Sequence, residues 1–502
     1  MVLNVATCSR ARMTRDPRFD GRFFIGVLTT RIYCRPICPA RPPKEENVRY
    51  FATAAAAAEA GLRPCLRCRP EASPGTPAWF GTSATVSRAL RLISESALED
   101  GGVETLSSRL GIGSRHLRRL FVQHLGANPV AVAQTRRLHF AKRLLNESTL
   151  PINQIALASG FGSVRRFNAC FQKTYGRAPS QLRKLGARRS RISPDEYRFA
   201  LRFRPPFCWD ALLDFLAPRA TPGVESAEGN VYRRTFFLHG EPGWMEVSLD
   251  REANALDLRI HYPQPRWLFL IVERVRAMFD LAADPEAYVR QFRRDPLLGP
   301  RITRKPGLRV PGSWDGFELA VRAVLGQQVT VGGATTLAGR LVHEIGTRIE
   351  AASGLTHLFP TPEKLAVADL SRIGLPRARA NTLRSLARAV ADGKLSFAGV
   401  VNPEEFIASF CQLPGVGDWT AQYVAMRALS EPDAFPRADL GLLRASGLRS
   451  ARELEAHAEA WRPWRAYAAM YLWQTTPKKG VKHDAHSVYE NRKPARTAAV
   501  GL

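Results

Sequence analysis

Between Tyr197 and Arg204 apolar and polar positions alternate. Tyr197, Phe199, Leu201 and Phe203 interleave with Arg198, Ala200, Arg202 and Arg204. A period of two predicts a strand with one buried face. Val231 to Leu238, Met245 to Leu249 and Ala255 to Ile260 continue this β texture. From Asp315 helical periodicity returns and lasts to about Trp473. Upstream, residues from about 79 to 186 read as consecutive short helices. Residues 1 to about 78 read as a compact unit ending in the loop-like Pro70-Glu71-Ala72-Ser73-Pro74-Gly75-Thr76-Pro77. Arg183 to Arg191 reads as a basic linker, and the polar, basic tail from Pro477 to Leu502 as disordered.

The helical stretch repeats itself. Phe121-x4-Gly126-x2-Pro129 returns fifty residues on as Phe171-x4-Gly176-x2-Pro179. Each copy follows a short helix pattern that ends at glycine, Leu106 to Gly111 and Ile155 to Gly160. Each glycine opens a turn into a second helix, from about Ser114 and about Ser163. Two helix-turn-helix units in tandem fit this echo, joined by a helix over Val130 to Leu145.

Composition sharpens the partner. The chain has 502 residues, too many for one core, and three domains are expected. Its apolar content of 45% is that of a globular protein, while its net charge is +28. The basic residues recur in every segment, so a polyanion is the expected partner. No apolar run approaches the roughly 20 residues of a membrane span. Met1 to Asp20 is polar and Arg-rich, unlike a secretory signal, and the expected location is cytoplasmic, on the nucleoid.

Two segments carry chemistry. Cys34-x3-Cys38 and Cys65-x2-Cys68 account for four of the eight cysteines and have metal-ligand spacing. Four thiolates are the usual tetrahedral shell of a structural zinc, here among Arg35, Arg41, Arg63, Arg67 and Arg69. Positive charge there favours an approaching phosphate and keeps sulfur nucleophilic. The second segment is Leu413-Pro414-Gly415-Val416-Gly417-Asp418-Trp419-Thr420-Ala421, which reads as a helix, a tight hairpin and a second helix. Gly415 and Gly417 are expected to supply φ > 0 and close approach. The uncapped amides of the next helix are ready for phosphate. An ordinary αα-hairpin explains the same residues. Asp439 follows downstream, where an aspartate serves either as a helix cap or as a carboxylate facing a bound sugar.

Each region also resembles a known family. Phe23 to Thr30, Cys34-Arg35-Pro36-x-Cys38, Glu46-Asn47-Val48 and Arg63-Pro64-Cys65-x2-Cys68 resemble the Ada-type methyl-accepting zinc domain. The resemblance implies one Zn2+ on Cys34, Cys38, Cys65 and Cys68. It implies irreversible transfer of a methyl group from a DNA methylphosphotriester to Cys34, with DNA contacts at Thr30, Arg41 and Arg63. A further basic contact position is Pro39 here. Four thiolates on divalent zinc carry a formal charge of roughly −2, and methylating one leaves roughly −1, so DNA affinity is expected to rise.

Residues 85 to 185, above all Ile152-x2-Ile155-Ala156-x3-Gly160-Phe161, resemble the AraC-type DNA-binding domain. Arg115, His116, Arg118 and Arg119 then lie on one recognition helix, and Arg165 and Arg166 on the other. Each arginine reads a base edge, contacts a phosphate or lies on a solvated face. Leu117, Leu120, Phe121 and Phe167 are core.

Phe199 to Trp473 resembles the AlkA-type DNA-3-methyladenine glycosylases of the helix-hairpin-helix superfamily. The matches run through Arg204-Pro205-Pro206-Phe207-x-Trp209, Leu308-Arg309-x-Pro311-Gly312 and Val324-Leu325-Gly326-Gln327-x-Val329. They continue through the hairpin to Trp461-x-Pro463-Trp464-Arg465. The resemblance implies Asp439 as the catalytic carboxylate. It implies Trp419, Tyr423 and Trp473 as aromatic walls for an extruded base, although Tyr423 reads equally as core. Gln328 takes the position that enters the base stack. Trp419 stands where strand-cutting relatives carry Lys, so no Schiff base forms there and the enzyme is expected to be monofunctional. No cysteine follows Asp439, so the iron–sulfur ligands of some relatives are missing.

The expected fold class is multidomain: a small zinc-bound α/β domain (1–78), an all-α tandem helix-turn-helix domain (79–188), and an α+β glycosylase. The last comprises a β-rich subdomain (192–300) and a helix-hairpin-helix domain (301–476), followed by the tail (477–502). The expected function is alkylation repair joined to transcription activation, by a monomer that binds double-stranded DNA and contacts RNA polymerase. The rival readings are a regulator whose glycosylase half only binds DNA, and a glycosylase for oxidised bases.

Overall fold

The computed structural model describes residues 4–74, 84–94, 102–148, 150–186, 195–351, 354–400 and 402–474. The expected disordered tail lies outside them, as does most of the expected 183–191 linker. The helix Pro179–Gly186 takes in the start of that linker.

The first unit packs the helices Val5–Met13 and Ala54–Glu59 on a four-stranded sheet. Its spatial order is Val48–Phe51, Phe24–Val27, Ile32–Cys34, Arg63–Pro64, with the last pair parallel.

The tandem helix-turn-helix follows the sequence echo. Gly102–Arg109 turns into Ser114–Leu125, and Ile152–Ala158 turns into Val164–Tyr175. The long helix Pro129–Glu147 joins the pairs. The repeated residues now have physical roles. Phe121 and Phe171 are fully buried. Gly126 (φ 71°) and Gly176 (φ 68°) end their helices in the left-handed conformation, and Pro129 and Pro179 begin the next ones. The two halves join different cores. The first packs with the zinc-domain sheet through Tyr33, Phe51, Leu117, Phe121 and Val132. The second merges with the core of the C-terminal half. There Phe140 stacks on Phe199 at 5.8 Å, and Arg143 donates to the Ala200 carbonyl at 3.1 Å.

The C-terminal half opens with a five-stranded antiparallel sheet. Its order is Glu196–Arg202, Ala255–His261, Glu241–Asp250, Val231–Leu238, Glu225–Glu228. Tyr197, Phe199 and Leu201 point inward as the alternation requires. Helices begin earlier than Asp315. Trp209–Leu216 already follows the first strand, and Leu268–Met278, Pro285–Phe292 and Gly299–Arg304 follow the last. Leu268, Ile271, Val272 and Val275 bury one helical face. The remaining helices, from Gly316–Leu325 to Arg465–Trp473, enclose a cleft. Arg204 and Arg309 of the motif residues are fully buried and serve packing. Arg204 donates to the Ala282 and Ala283 carbonyls, and Arg309 to the Arg204 carbonyl.

Candidate functional site

The strand ladder builds the thiol cluster. Tyr33 pairs with Pro64, and the Cys65 amide donates to the Tyr33 carbonyl at 3.0 Å, so Cys34 and Cys65 come side by side. A tight turn, Cys38 N–H to Arg35 carbonyl at 3.1 Å, returns Cys38 to them. Arg69, at φ 53°, follows the Cys65–Cys68 turn. The four ligand sulfurs all lie within 4.8 Å of one another. A tetrahedron with Zn–S of about 2.3 Å has edges of about 3.8 Å, so the donor set fits one zinc. The Arg35 amide donates to Cys68 Sγ at 3.3 Å, a further tie on the ligand shell. Cys65 and Cys68 are buried, whereas Cys34 and Cys38 are half-buried.

The arginines around the thiols divide. Arg35 is buried and bidentate on Asp20, so its charge is spent inside the protein. Arg69 pairs with Glu71 and Glu147. Arg41, Arg63 and Arg67 stay exposed, as does Thr30. On the recognition helices Arg115, Arg118, Arg165 and Arg166 are all exposed, with Arg118 paired to Glu104 at 2.9 Å. Leu117, Phe121 and Phe167 are core as expected.

The second site lies in the C-terminal half. Pro403–Phe410, capped by the Asn402 side chain, leads through the hairpin into Asp418–Ala428. Gly415 has φ 83°, and a Cβ there would lie 2.2 Å from Thr382 Oγ1. Gly417 departs from expectation. Its φ is −103° with ψ 174°, an extended cap, because one left-handed residue suffices to reverse the chain. No side chain caps the following helix, and both glycines are exposed, so its first amides face outward.

Asp439 caps a helix and also lines the cleft. Its Oδ1 caps the helix Leu440–Ser446 by accepting Leu442 N–H at 2.9 Å. Oδ1 also accepts Trp473 Nε1–H, and Oδ2 accepts Trp419 Nε1–H, both at 2.9 Å. Two indoles from different helices thus fix one carboxylate. Trp419 stacks on Tyr423 at 5.4 Å, and Tyr423 meets Trp473 edge-on at 6.2 Å. These four residues line a cavity of about 240 Å³ together with Phe215, Arg219, Arg322, Arg427 and Gly326, Val329, Thr330 and Val331 of one loop and the helix start after it. Tyr423 is therefore a cavity wall. Gln328 stands exposed on that loop at φ 56°, a left-handed position unusual for its type.

Sequence reasoning missed the arginines of the cavity. Arg219 lies over Phe215 at 3.9 Å, and Arg427 donates to the Tyr423 hydroxyl at 2.7 Å. Burial pushes the Tyr423 phenol up, but Arg427, Arg219 and Arg322 outweigh it and hold the group below its usual range. The available signal was an arginine within an apolar helical run, as in Val321-Arg322-Ala323 and Met426-Arg427-Ala428.

Comparison with known proteins agrees with this geometry. Family models match residues 7–71 (metal binding domain of Ada), 106–185 (helix-turn-helix domain) and 198–315 (AlkA N-terminal domain). A Mycobacterium tuberculosis protein named "Probable bifunctional transcriptional activator/DNA repair enzyme AlkA" is 41% identical over 476 residues. The match covers 93% of this chain and 96% of that protein. DNA-3-methyladenine glycosylase 2 of Escherichia coli is 32% identical over 281 residues, 55% of this chain and 97% of its own length. The bifunctional transcriptional activator/DNA repair enzyme Ada of Escherichia coli is 32% identical over 174 residues, 35% of this chain and 48% of its own. Near-complete coverage of one relative, with the zinc, helix-turn-helix and glycosylase parts in the same chain, shows that this protein belongs to the family of AlkA-type bifunctional transcriptional activator/DNA repair enzymes.

Proposed function

We propose that the C-terminal half excises alkylated bases of the 3-methyladenine type from double-stranded DNA, with Asp439 as the catalytic carboxylate. The observation that carries this reading is the Asp439 carboxylate, oriented by two indoles at an aromatic cavity beside the Gly-rich hairpin. The hairpin amides after Gly415 and Gly417 hold a phosphate, and Trp419, Tyr423 and Trp473 wall the extruded base. An alkylated purine carries positive charge, which the aromatic faces favour, and it leaves without acid help. As the C1′–N bond breaks, its electron pair goes to the base. The sugar becomes an oxocarbenium ion, which the carboxylate stabilises. Water adds at C1′, and its proton passes to solvent. Trp419 has no amine to attack C1′, so the strand stays whole. Release of free base from alkylated DNA by the wild type, and its loss in Asp439→Asn, tests the reading. No release from either would support a half that only binds DNA, and equal release would remove Asp439 as the catalytic group.

The N-terminal half senses and regulates in the same reading. Zinc, when bound, keeps the four sulfurs as thiolates. Cys34 Sγ attacks the methyl carbon of a methylphosphotriester, the C–O bond breaks, and the phosphate diester leaves with the electron pair. Thr30, Arg41 and Arg63 position that backbone. The less negative site then favours promoter DNA, read by Arg115, Arg118, Arg165 and Arg166. Two recognition helices in one chain support action as a monomer. The activator named among its relatives supports contact with RNA polymerase at the promoter and a place on the nucleoid. The units proposed are 1–78, 79–188, 192–300 and 301–476, with 477–502 as a tail. Among the described residues no helix is long and apolar enough to cross a membrane. A methyl mass on the Cys34 peptide after exposure to methylated DNA, absent in Cys34→Ser, tests the acceptor.

A further inference from the structure

The loop that carries Gln328 is clamped to the hairpin through the residue before it. It joins the helices Gly316–Leu325 and Val331–Ile345, and Gly326, Val329 and Thr330 line the cavity. Gln327 is half-buried. Its Nε2 donates to the Gly415 carbonyl at 2.9 Å and to Thr420 Oγ1 at 3.0 Å. Both N–H bonds of the carboxamide are therefore used on the hairpin and on the first turn of its second helix. The Gln327 carbonyl accepts Arg379 Nη2–H at 2.6 Å. Arg379 lies on the helix Arg377–Ala391, which also carries Thr382, the residue packed against Gly415. On the far side Thr330 Oγ1 caps the next helix through Gly333 N–H at 3.1 Å. Held on both sides, the loop presents Gln328 outward in a left-handed conformation that costs energy and persists only where its surroundings enforce it.

We infer that Gln327 is a positioning residue that latches the Gln328 loop to the phosphate-gripping hairpin, so that gripping the backbone and filling the emptied base stack occur in one register. This rests on the glycosylase reading above. The latch touches neither base nor sugar. Its effect falls on extrusion of the base rather than on capture of the duplex. Glutamate at 327 cannot donate and sets a carboxylate against the Gly415 carbonyl, so Gln327→Glu is expected to be worse than Gln327→Ala.

The test uses the full-length protein and a duplex with 2-aminopurine beside an alkylated base. Fluorescence of 2-aminopurine reports extrusion, anisotropy with an undamaged duplex reports capture, and thermal melting reports the fold. Loss of two hydrogen bonds predicts that Gln327→Ala reduces the extruded fraction about tenfold, and Gln327→Glu more, while melting and undamaged-duplex affinity stay near wild type. Asp439→Asn serves as the contrast, keeping the fluorescence rise while losing base release. Full extrusion by Gln327→Ala would overturn the latch. So would a fall in capture as large as the fall in extrusion, which marks collapse of the hairpin instead. A wild type that extrudes no base would remove the glycosylase reading and the latch with it, whereas unchanged extrusion in Gln327→Ala removes the latch alone.

Discussion

The two hairpin glycines make different demands, and alanine at each separates fold from grip. At Gly415 the backbone has φ 83°, and a new Cβ would lie 2.2 Å from Thr382 Oγ1 and 3.2 Å from Thr382 Cβ. The left-handed conformation costs alanine about 1 kcal/mol, and the overlap adds about 1–3 kcal/mol. Thr382 cannot turn away freely, because its hydroxyl donates to the Ala378 carbonyl at 3.2 Å. The sum, about 2–4 kcal/mol, predicts that Gly415→Ala lowers the melting temperature of the C-terminal half by roughly 5–15 °C. At Gly417 φ is −103° and nothing lies within 4 Å of a Cβ. Gly417→Ala should therefore melt within about 2 °C of wild type, or slightly higher. Its methyl group stands on the exposed face proposed to meet the phosphate, so on that proposal affinity for duplex DNA should fall by about tenfold. Thermal melting and fluorescence anisotropy on both variants decide the matter. Equal melting temperatures for the two would refute the geometry of the turn. Full DNA affinity in Gly417→Ala would refute the hairpin as the grip.

Further expectations follow from other parts of the molecule. Burial pushes Glu225 up, but Arg322 and Arg234, with the Tyr232 hydroxyl, bring it down to about 2. Its contribution is present above about pH 4.5 and is lost as pH falls toward 2. Glu225→Gln should cost about 3 kcal/mol at neutral pH in denaturant titration, a deficit that closes on acidification. A chelator strong enough to strip zinc should unfold residues 1–74 as seen by circular dichroism and proteolysis while base release persists. Metal analysis of Cys65→Ser should show loss of the single zinc. Borohydride should trap no covalent complex, and the product strand should stay uncut until treated with alkali, because position 419 is an indole.

Much of this architecture is readable from sequence where one physical demand acts on adjacent residues. The alternation at Tyr197 to Leu201 reports a sheet with one buried face, and the repeated Phe-Gly-Pro echo reports a core residue, a left-handed cap and a helix start. Cysteine spacing alone marks the metal shell. What stays hidden is contact between distant segments. The indoles on Asp439 come from positions 20 and 34 residues away. The sequence does not show that Arg427 reaches the Pro311 and Gly312 carbonyls, which accept from it. Arg35 reads as charge offered to DNA until Asp20 is seen against it. The pattern Pro-Gly-x-Gly does not say which glycine takes the left-handed turn. The helices from Leu268 to Arg304 lie before Asp315, where helical periodicity is expected to return; the first follows the last strand after only a short turn, so the change of period is abrupt.

The central claim is that Asp439 drives hydrolysis of the glycosidic bond in a cavity built for an extruded base. Asparagine at 439 keeps a side-chain oxygen for the Leu442 amide, so the helix start is preserved. The direct measurement is single-turnover release of 3-methyladenine from methylated duplex DNA by wild type and Asp439→Asn. The account predicts rapid release by wild type and a rate lower by at least about 100-fold in the variant, with the duplex still bound. Release at the same rate by both proteins would contradict it.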